Sequence, residues 1–399
     1  MKVQILTVGR FHFFNLARQI HKYKKLDKIF SGYPYKYIKN EKNIPKNKYI
    51  SLFNLSFYSF IFVVLFSLKK LNIKYLSKFE NYLSFLLNKL VFNNFKKYIK
   101  EKTILISNSG FGLESAIKVK KLNGLFVCDR GAAHIKFQDK ILRNEHLKYN
   151  INYTKITPEI INREISEYKL ADVIAVPSSF VKKTFIKNGI SKEKIFVNPL
   201  GVNNKIFHYH KSKKKNGTFE ILFVGNVTLQ KGILYLLDAF NNINHKDKRL
   251  TIIGTIDDQI KKQFYNRMNN KIRLIKKVKH SNLAKFYSKS DVFVLPSIHD
   301  GFGMVITEAL ACGCPVIATE NTGARDIFEN HKAGFIIKPM SSKSIENKLN
   351  LLIKDRGLRI KMSREALNTI KRIKGWGNYG YRWNKKLNFI IQNKIKNYS

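Results

Sequence analysis

Residues 291–328, DVFVLPSIHDGFGMVITEALACGCPVIATENTGARDIF, constrain the fold more than any other stretch of this chain. Val292–Leu295 is a continuous apolar run closed by Pro296, the pattern of a parallel strand buried on both faces. A loop with Gly301 and Gly303 follows, then a helix from Met304 that Gly313 stops. Pro315 and Val316–Thr319 start the next strand. Such a β–loop–α–β unit puts its loop at the carboxyl end of the sheet, the edge at which α/β proteins bind ligands. Glu308 is the odd residue on that helix, among Val305, Ile306, Ala309, Leu310 and Ala311. A buried carboxylate is costly without a hydrogen-bond partner. Helical side chains lean towards the N-terminus, so Glu308 leans back towards the glycine loop. A diol such as a ribose would satisfy it there; the helix dipole or a neighbouring domain's lysine would serve as well.

The length of 399 residues suits two α/β domains, and a hydrophobic fraction of 44% excludes global disorder. Cys128, Cys312 and Cys314 make no disulfide framework. Cys312 and Cys314 lie too close for a usual zinc pair and read as packing residues in a reducing cytosol. The net charge of +47 admits nucleic acid, an anionic membrane or an anionic substrate as partner. Lysine far outnumbers arginine, and asparagine and isoleucine are abundant, as AT-rich coding alone would produce. The lysines are scattered and no helix-turn-helix, RNA-binding or zinc-finger spacing occurs, so nucleic acid is set aside and the membrane surface kept. MKVQILTV at the start is too short for a signal peptide and reads as a first strand. The expected location is therefore cytoplasmic, with peripheral contact to the inner face of the membrane. Residues 50–68 are uncharged but contain Asn54 and serines, and a lysine- and aromatic-rich amphipathic segment follows to Lys102. This region is expected to lie in the membrane interface or pack as a helix, not to span.

Taken in order, a strand over residues 3–8 leads to the loop Gly9, Arg10, Phe11, His12 and a helix through Ile20. A second strand ends near Ser31, a third at Ser107 before the loop N-S-G-F-G, and a fourth at Cys128 before Asp129, Arg130, Gly131, Ala132, Ala133 and His134. Tyr168, Asp172, Pro177 and Ser178 recur at the same spacing as Tyr287, Asp291, Pro296 and Ser297, which suggests two similarly built sheets. Residues 198–217 read as a linker. The strand pattern restarts at Phe219–Val224 and passes Gly225, Asn226 and then Lys231 in a strand-to-helix loop. A lysine beside free helix N–H groups is what a pyrophosphate requires. Asp257 and Asp258 read as turn residues, not metal ligands.

Together these residues resemble the family 4 glycosyltransferases, retaining enzymes of the GT-B fold, in particular a bacterial polysaccharide and lipopolysaccharide subset. The family pattern is Glu-Gly-Phe-Gly, four variable residues, Glu-Ala and then Gly-x-Pro-Val; here it reads Asp300-Gly301-Phe302-Gly303, Met304 to Thr307, Glu308-Ala309 and Gly313-Cys314-Pro315-Val316. The resemblance implies an α/β architecture of two Rossmann-like doubly wound domains facing a cleft. Residues 1–203 would bind the acceptor and 204–377 the nucleotide sugar, with a helix over 378–399 packing back on the first domain. It further implies that Glu308 holds the nucleotide ribose, Asp300 the donor sugar and Lys231 the diphosphate. Gly225, Asn226 and Gly301, with the amides of Phe302, Gly303, Met304 and Val305, would complete the donor site. Asp300 is one methylene shorter than the family's glutamate, and Asn226 stands where many members have arginine, a charge that Arg10 could supply. Gly9, Arg10, His12, Asp129, Arg130 and His134 are the candidates on the acceptor side. The implied reaction moves a sugar from a nucleotide diphosphate to the hydroxyl of a carbohydrate or lipid-linked acceptor, without metal or other cofactor. The alternatives are a nucleotide-sugar epimerase or phosphorylase on the same fold, and a non-catalytic binder of membrane surfaces.

Overall fold

The computed structural model describes residues 1–7, 9–10, 12–33, 43–52, 86, 88–153, 156–210 and 217–396. Two parallel sheets organise them. The first contains β1 (Val3–Thr7), β2 (Leu26–Ser31), β3 (Tyr49–Ser51), β4 (Ile104–Asn108), β5 (Leu125–Asp129), β6 (Val173–Val176) and β7 (Ile195–Val197). Their spatial order is β3-β2-β1-β4-β5-β6-β7. The second contains β8 (Phe219–Val224), β9 (Lys248–Ile253), β10 (Ile272–Ile275), β11 (Val292–Leu295), β12 (Val316–Thr319) and β13 (Gly334–Ile337), in the order β10-β9-β8-β11-β12-β13. Helices cover the faces, so β1, β5, β6, β11 and β12 are buried along their whole length. That burial is why these strands read as unbroken apolar runs.

Strand order reverses between β1 and β4 in the first sheet and between β8 and β11 in the second. At such a point successive connections leave to opposite faces and a crevice opens at the strands' carboxyl ends. The loops after β8 and β11 carry Lys231 and Asp300; the loop after β1 carries His12.

The recurring Tyr-Asp-Pro-Ser spacing has a local cause. Asp172, just before β6, donates its N–H to Phe126 O at 2.8 Å and accepts Phe126 N–H on Oδ2 at 2.8 Å. Asp291, just before β11, makes the same pair with Glu220 at 2.8 and 2.9 Å. Each aspartate thus pins the start of its strand to a neighbour. The two strands are not equivalent: β11 flanks the reversal of its sheet, whereas β6 lies two strands beyond β1 and β4.

Three expectations change. Residues 198–210 are no loose linker, because Leu200, Val202 and Phe207 are buried and a Cβ on Gly201 would meet Trp376 N at 2.4 Å. Ile50 and Ser51 belong to the edge strand β3, not to a helix, and most of the amphipathic region to Lys102 lies outside the described residues. The last helix begins at Gly375 and runs to Lys396, packing on the helix Phe13–Lys22. Tyr379, Trp383, Leu387 and Ile390 form its buried side.

Asp291→Ala removes an acceptor from a buried strand end and should lower the unfolding free energy by about 1–3 kcal/mol. Urea denaturation measures this; an unchanged midpoint would mean that the aspartate only decorates the strand.

Candidate active site

Lys231 is placed by a tight turn. Thr228 caps it, its Oγ1 accepting from Lys231 N at 3.3 Å. Gly232 follows with φ +66°, and a Cβ there would lie 1.9 Å from the Pro296 carbonyl oxygen. Only glycine lets the two loops approach so closely. Lys231 Nζ then reaches across the strand reversal and donates to Asp300 Oδ2.

Asp300 is held from both sides. Its Oδ1 accepts from Phe302 N at 3.3 Å and Gly303 N at 3.1 Å, and its own N–H donates to Asn321 O at 2.8 Å. Burial alone would raise the carboxyl, but the Lys231 ammonium and the amide donors outweigh it and hold it below the usual range. Gly303 takes φ +75°, where a Cβ would meet the Leu295 side chain at 2.8 Å, and the helix Met304–Ala311 starts directly after it. That helix has no side-chain cap, so its first N–H groups point at the loop.

One turn in from Met304, about 6 Å along the axis, Glu308 is 5% exposed. Its partners are neither lysine nor dipole. Tyr287 Oη donates to Oε2 at 3.1 Å, and His280 Nε2 lies 3.3 Å from Oε1. The Glu308 hydrogen bond raises the His280 pKa, against burial. These partners stand 21 and 28 residues upstream, on a helix and its leading turn. Only the packing of two helices reveals them. His299, beside Asp300, was also missed; it is fully buried, and burial first, with the nearby cations, lowers its pKa to about 4.

In the first domain His12 Nε2 lies 3.0 Å from Asp129 Oδ2, joining the loop after β1 to the end of β5. His12 stacks on Phe13, and with Asp129, Asn198, Tyr379 and Trp383 it lines a cavity. The Gly9 carbonyl accepts from Thr7 Oγ1 at 2.8 Å, while Arg10 is exposed with its guanidinium 5.6 Å from the Tyr33 ring. Asn226 is also exposed.

Arg130 and His134 point elsewhere. Arg130 donates to Glu164 at 2.9 Å, Gln138 at 2.7 Å, Ser109 at 3.3 Å and the Ala133 carbonyl at 3.2 Å. His134 caps the helix Ile135–Lys148, its Nδ1 accepting from Lys136 N at 3.3 Å, and its ring packs against Tyr168 and Phe185. Burial, helped by the Arg130 cation, lowers its pKa to about 4, so it is neutral near pH 7. Both side chains hold the loop that follows Asp129.

Glu167 holds the neighbouring loop after β4, accepting from Gly110 N at 2.6 Å and Gly112 N at 2.8 Å. Burial raises it to about 7 despite those donors. Between the unfolded value near 4.5 and about 7 the folded chain therefore binds more protons than the unfolded chain, and stability falls as pH rises. Glu167→Gln should flatten this decline in urea midpoints followed across that window; an unchanged slope would contradict the assignment.

The two domains meet at these loops. A Cβ on Gly301 would stand 1.7 Å from Gly131 O, and Gly301 O accepts from Ser178 Oγ at 2.6 Å. Ser179 N and Oγ both donate to Asp326 at 2.9 Å. Gly301→Ala should force the loops apart and raise the radius of gyration in small-angle scattering, leaving the far-UV spectrum unchanged. An identical scattering profile would refute the contact.

Residues 204–369 match the family described as glycosyl transferases group 1. The capsular polysaccharide biosynthesis glycosyltransferase CapM of Staphylococcus aureus is 32% identical over 213 residues, 49% of this chain and 56% of CapM. An Escherichia coli relative, UDP-Gal:alpha-D-GlcNAc-diphosphoundecaprenol alpha-1,3-galactosyltransferase, is 29% identical over 198 residues, 48% of this chain and 50% of the relative. The chain spans between half and two thirds of the first curated relatives it matches. Anabaena HepE in complex with UDP-glucose superposes with a TM-score of 0.68 at 15% identity, covering 97% of this chain and 99% of HepE. At that identity the likeness speaks for the fold, which is GT-B. The part of this chain that is similar to the glycosyl transferases group 1 family is thus residues 204–369, the second domain with the glycine loop and Glu308.

Proposed function

We propose that this protein transfers a sugar, with retained anomeric configuration, from a nucleotide diphosphate to a hydroxyl of a carbohydrate or lipid-linked acceptor. The observation that carries the reading is the meeting of Lys231 and Asp300 across the β8–β11 reversal, with Glu308 one turn into the adjoining helix. The donor is a UDP-sugar, the ligand class named for HepE and for the Escherichia coli relative. The acceptor belongs to cell-surface polysaccharide or glycolipid synthesis, as the names of CapM and that relative support.

The roles follow from charge and geometry. As the bond between the sugar C1 and the phosphate oxygen breaks, its electron pair and negative charge pass to the diphosphate. Lys231 and the first amides of the helix Met304–Ala311 stabilise that charge without reorganising. Glu308, oriented by Tyr287 and His280, accepts from the ribose hydroxyls with its remaining lone pairs. Asp300, fixed by the amides of Phe302 and Gly303, holds the donor sugar, and Gly225, Asn226 and Gly301 shape the pocket. The acceptor oxygen joins C1 on the face that the phosphate leaves, and its proton passes to the departing phosphate oxygen. Gly9, Arg10, His12 and Asp129 stand on the acceptor side, with the His12–Asp129 pair as the polar group that orients the hydroxyl. Lys231 supplies the charge compensation for the departing diphosphate. Residues 1–203 with the C-terminal helix form the acceptor domain, and 204–377 the donor domain.

Among the described residues no helix is long and apolar enough to cross a membrane. The net charge of +47 supports peripheral seating on the anionic inner face of the cytoplasmic membrane.

Glu308→Ala should weaken UDP binding roughly 10–100-fold by calorimetry, the value of a charged hydrogen bond. Lys231→Met should lower the rate of UDP release from the preferred UDP-sugar by about 10²–10³. Full activity in both variants would sink the site, and donor sugar altered without acceptor would point to an epimerase.

A further inference from the structure

The C-terminal helix Gly375–Lys396 has two unlike sides. Tyr379, Trp383, Leu387 and Ile390 are buried, and the helix approaches Phe13–Lys22 so closely that a Cβ on Gly380 would meet Gln19 Oε1 at 2.4 Å. On the opposite side Tyr381 is 57%, Phe389 54% and Ile395 61% exposed. At about 100° per residue these three fall within roughly 120° of arc, with the exposed Lys385 between Tyr381 and Phe389. Lys386 Nζ lies 5.2 Å from the Phe389 ring, at the edge of the same stripe.

The charge along the helix itself is of one sign, while just before it Arg372 lies 3.9 Å from Glu365. Residues 366–399 hold eight lysines and arginines and no aspartate or glutamate. Phe13–Lys22, the helix beneath, also has no acidic residue. Of the eight cations, Arg382 turns inward to Asn198 Oδ1 and the Pro199 carbonyl, both at 2.6 Å. Lys371, Arg372, Lys374 and Lys385 are exposed.

We infer that the outer face of the helix Gly375–Lys396 is a docking surface for an anionic lipid bilayer. Aromatic and aliphatic side chains interleaved with lysine on one arc suit the headgroup boundary, where rings enter the acyl edge and ammonium groups meet lipid phosphates. A nucleic acid would use the cations and leave Phe389 and Ile395 uncovered. A second copy of a chain charged +47 would be repelled. The surface gives a place to the membrane seating proposed above, and rests on that part of the reading alone, not on the reaction. It belongs to the helix that lines the His12–Asp129 cavity through Tyr379 and Trp383, so docking there brings that cavity close to lipid.

The test is co-sedimentation of the full chain with vesicles of phosphatidylcholine alone or with 30% (about one lipid in three) phosphatidylglycerol, an anionic fraction at which each lysine contributes about fivefold. The variant Tyr381→Ser/Lys385→Glu/Phe389→Ser is compared with a control on the other domain matched in charge, Lys262→Glu/Tyr265→Ser, both checked for native melting and UDP binding. The expected result is phosphatidylglycerol-dependent binding of the wild type and the control, reduced roughly tenfold or more in the helix variant. Binding by the helix variant equal to wild type overturns the inference while leaving membrane seating intact. Equal loss in the control shows bulk charge alone and overturns it too. Wild-type protein that ignores both vesicles removes the seating itself, and duplex RNA binding lost only in the helix variant reassigns the face to nucleic acid.

Discussion

The ion pair between Lys231 and Asp300 joins the two loops that leave the second sheet at its reversal, and the site is built around it. Both side chains are largely withdrawn from water, at 25% and 17% exposure. Charges so placed depend on each other: an unpaired one would lose hydration with nothing in exchange. Asp300 is also the acceptor for two loop amides, so the pair fixes the glycine loop and the start of the helix bearing Glu308. A nucleotide diphosphate competes for the same lysine and the same helix terminus. The donor's charge is thus met by helix amides already in position and by a lysine that it draws from Asp300.

Glycine makes that arrangement possible at two points. Gly232 admits the Pro296 carbonyl, bringing Lys231 within reach, and Gly301 admits the Gly131 carbonyl of the other domain. The loop holding Asp300 therefore lies directly against the loop that follows Asp129. Arg130, bonded to Glu164 and Gln138, and His134, buried against Tyr168 and Phe185, keep that second loop in place. The acceptor-side pair and the donor-side pair are thereby linked through two stretches of backbone.

Much of this was legible in the sequence, for a physical reason. Parallel strands buried on both faces read as plain apolar runs, so Val292–Leu295 and Val316–Thr319 are recognisable with their bounds. Short edge strands such as Tyr49–Ser51 have no such signature. Glu308 stood out because its neighbours are apolar, but Tyr287 and His280 did not, since no local pattern shows which helix packs on which. Arg130 and His134 looked like ligands because they follow a strand end; side-chain direction, which periodicity does not encode there, turns them inward. The recurring Tyr-Asp-Pro-Ser spacing marks a way of pinning a strand's start, used at two unlike positions.

The most direct test of the account is a crystal structure of the complex with UDP. It predicts the ribose hydroxyls on Glu308, and the diphosphate over the first amides of the helix Met304–Ala311, with Lys231 Nζ drawn from Asp300 to a phosphate oxygen. UDP bound away from the β8–β11 reversal, or bound there with the Lys231–Asp300 pair unbroken and no contact to Glu308, would contradict it.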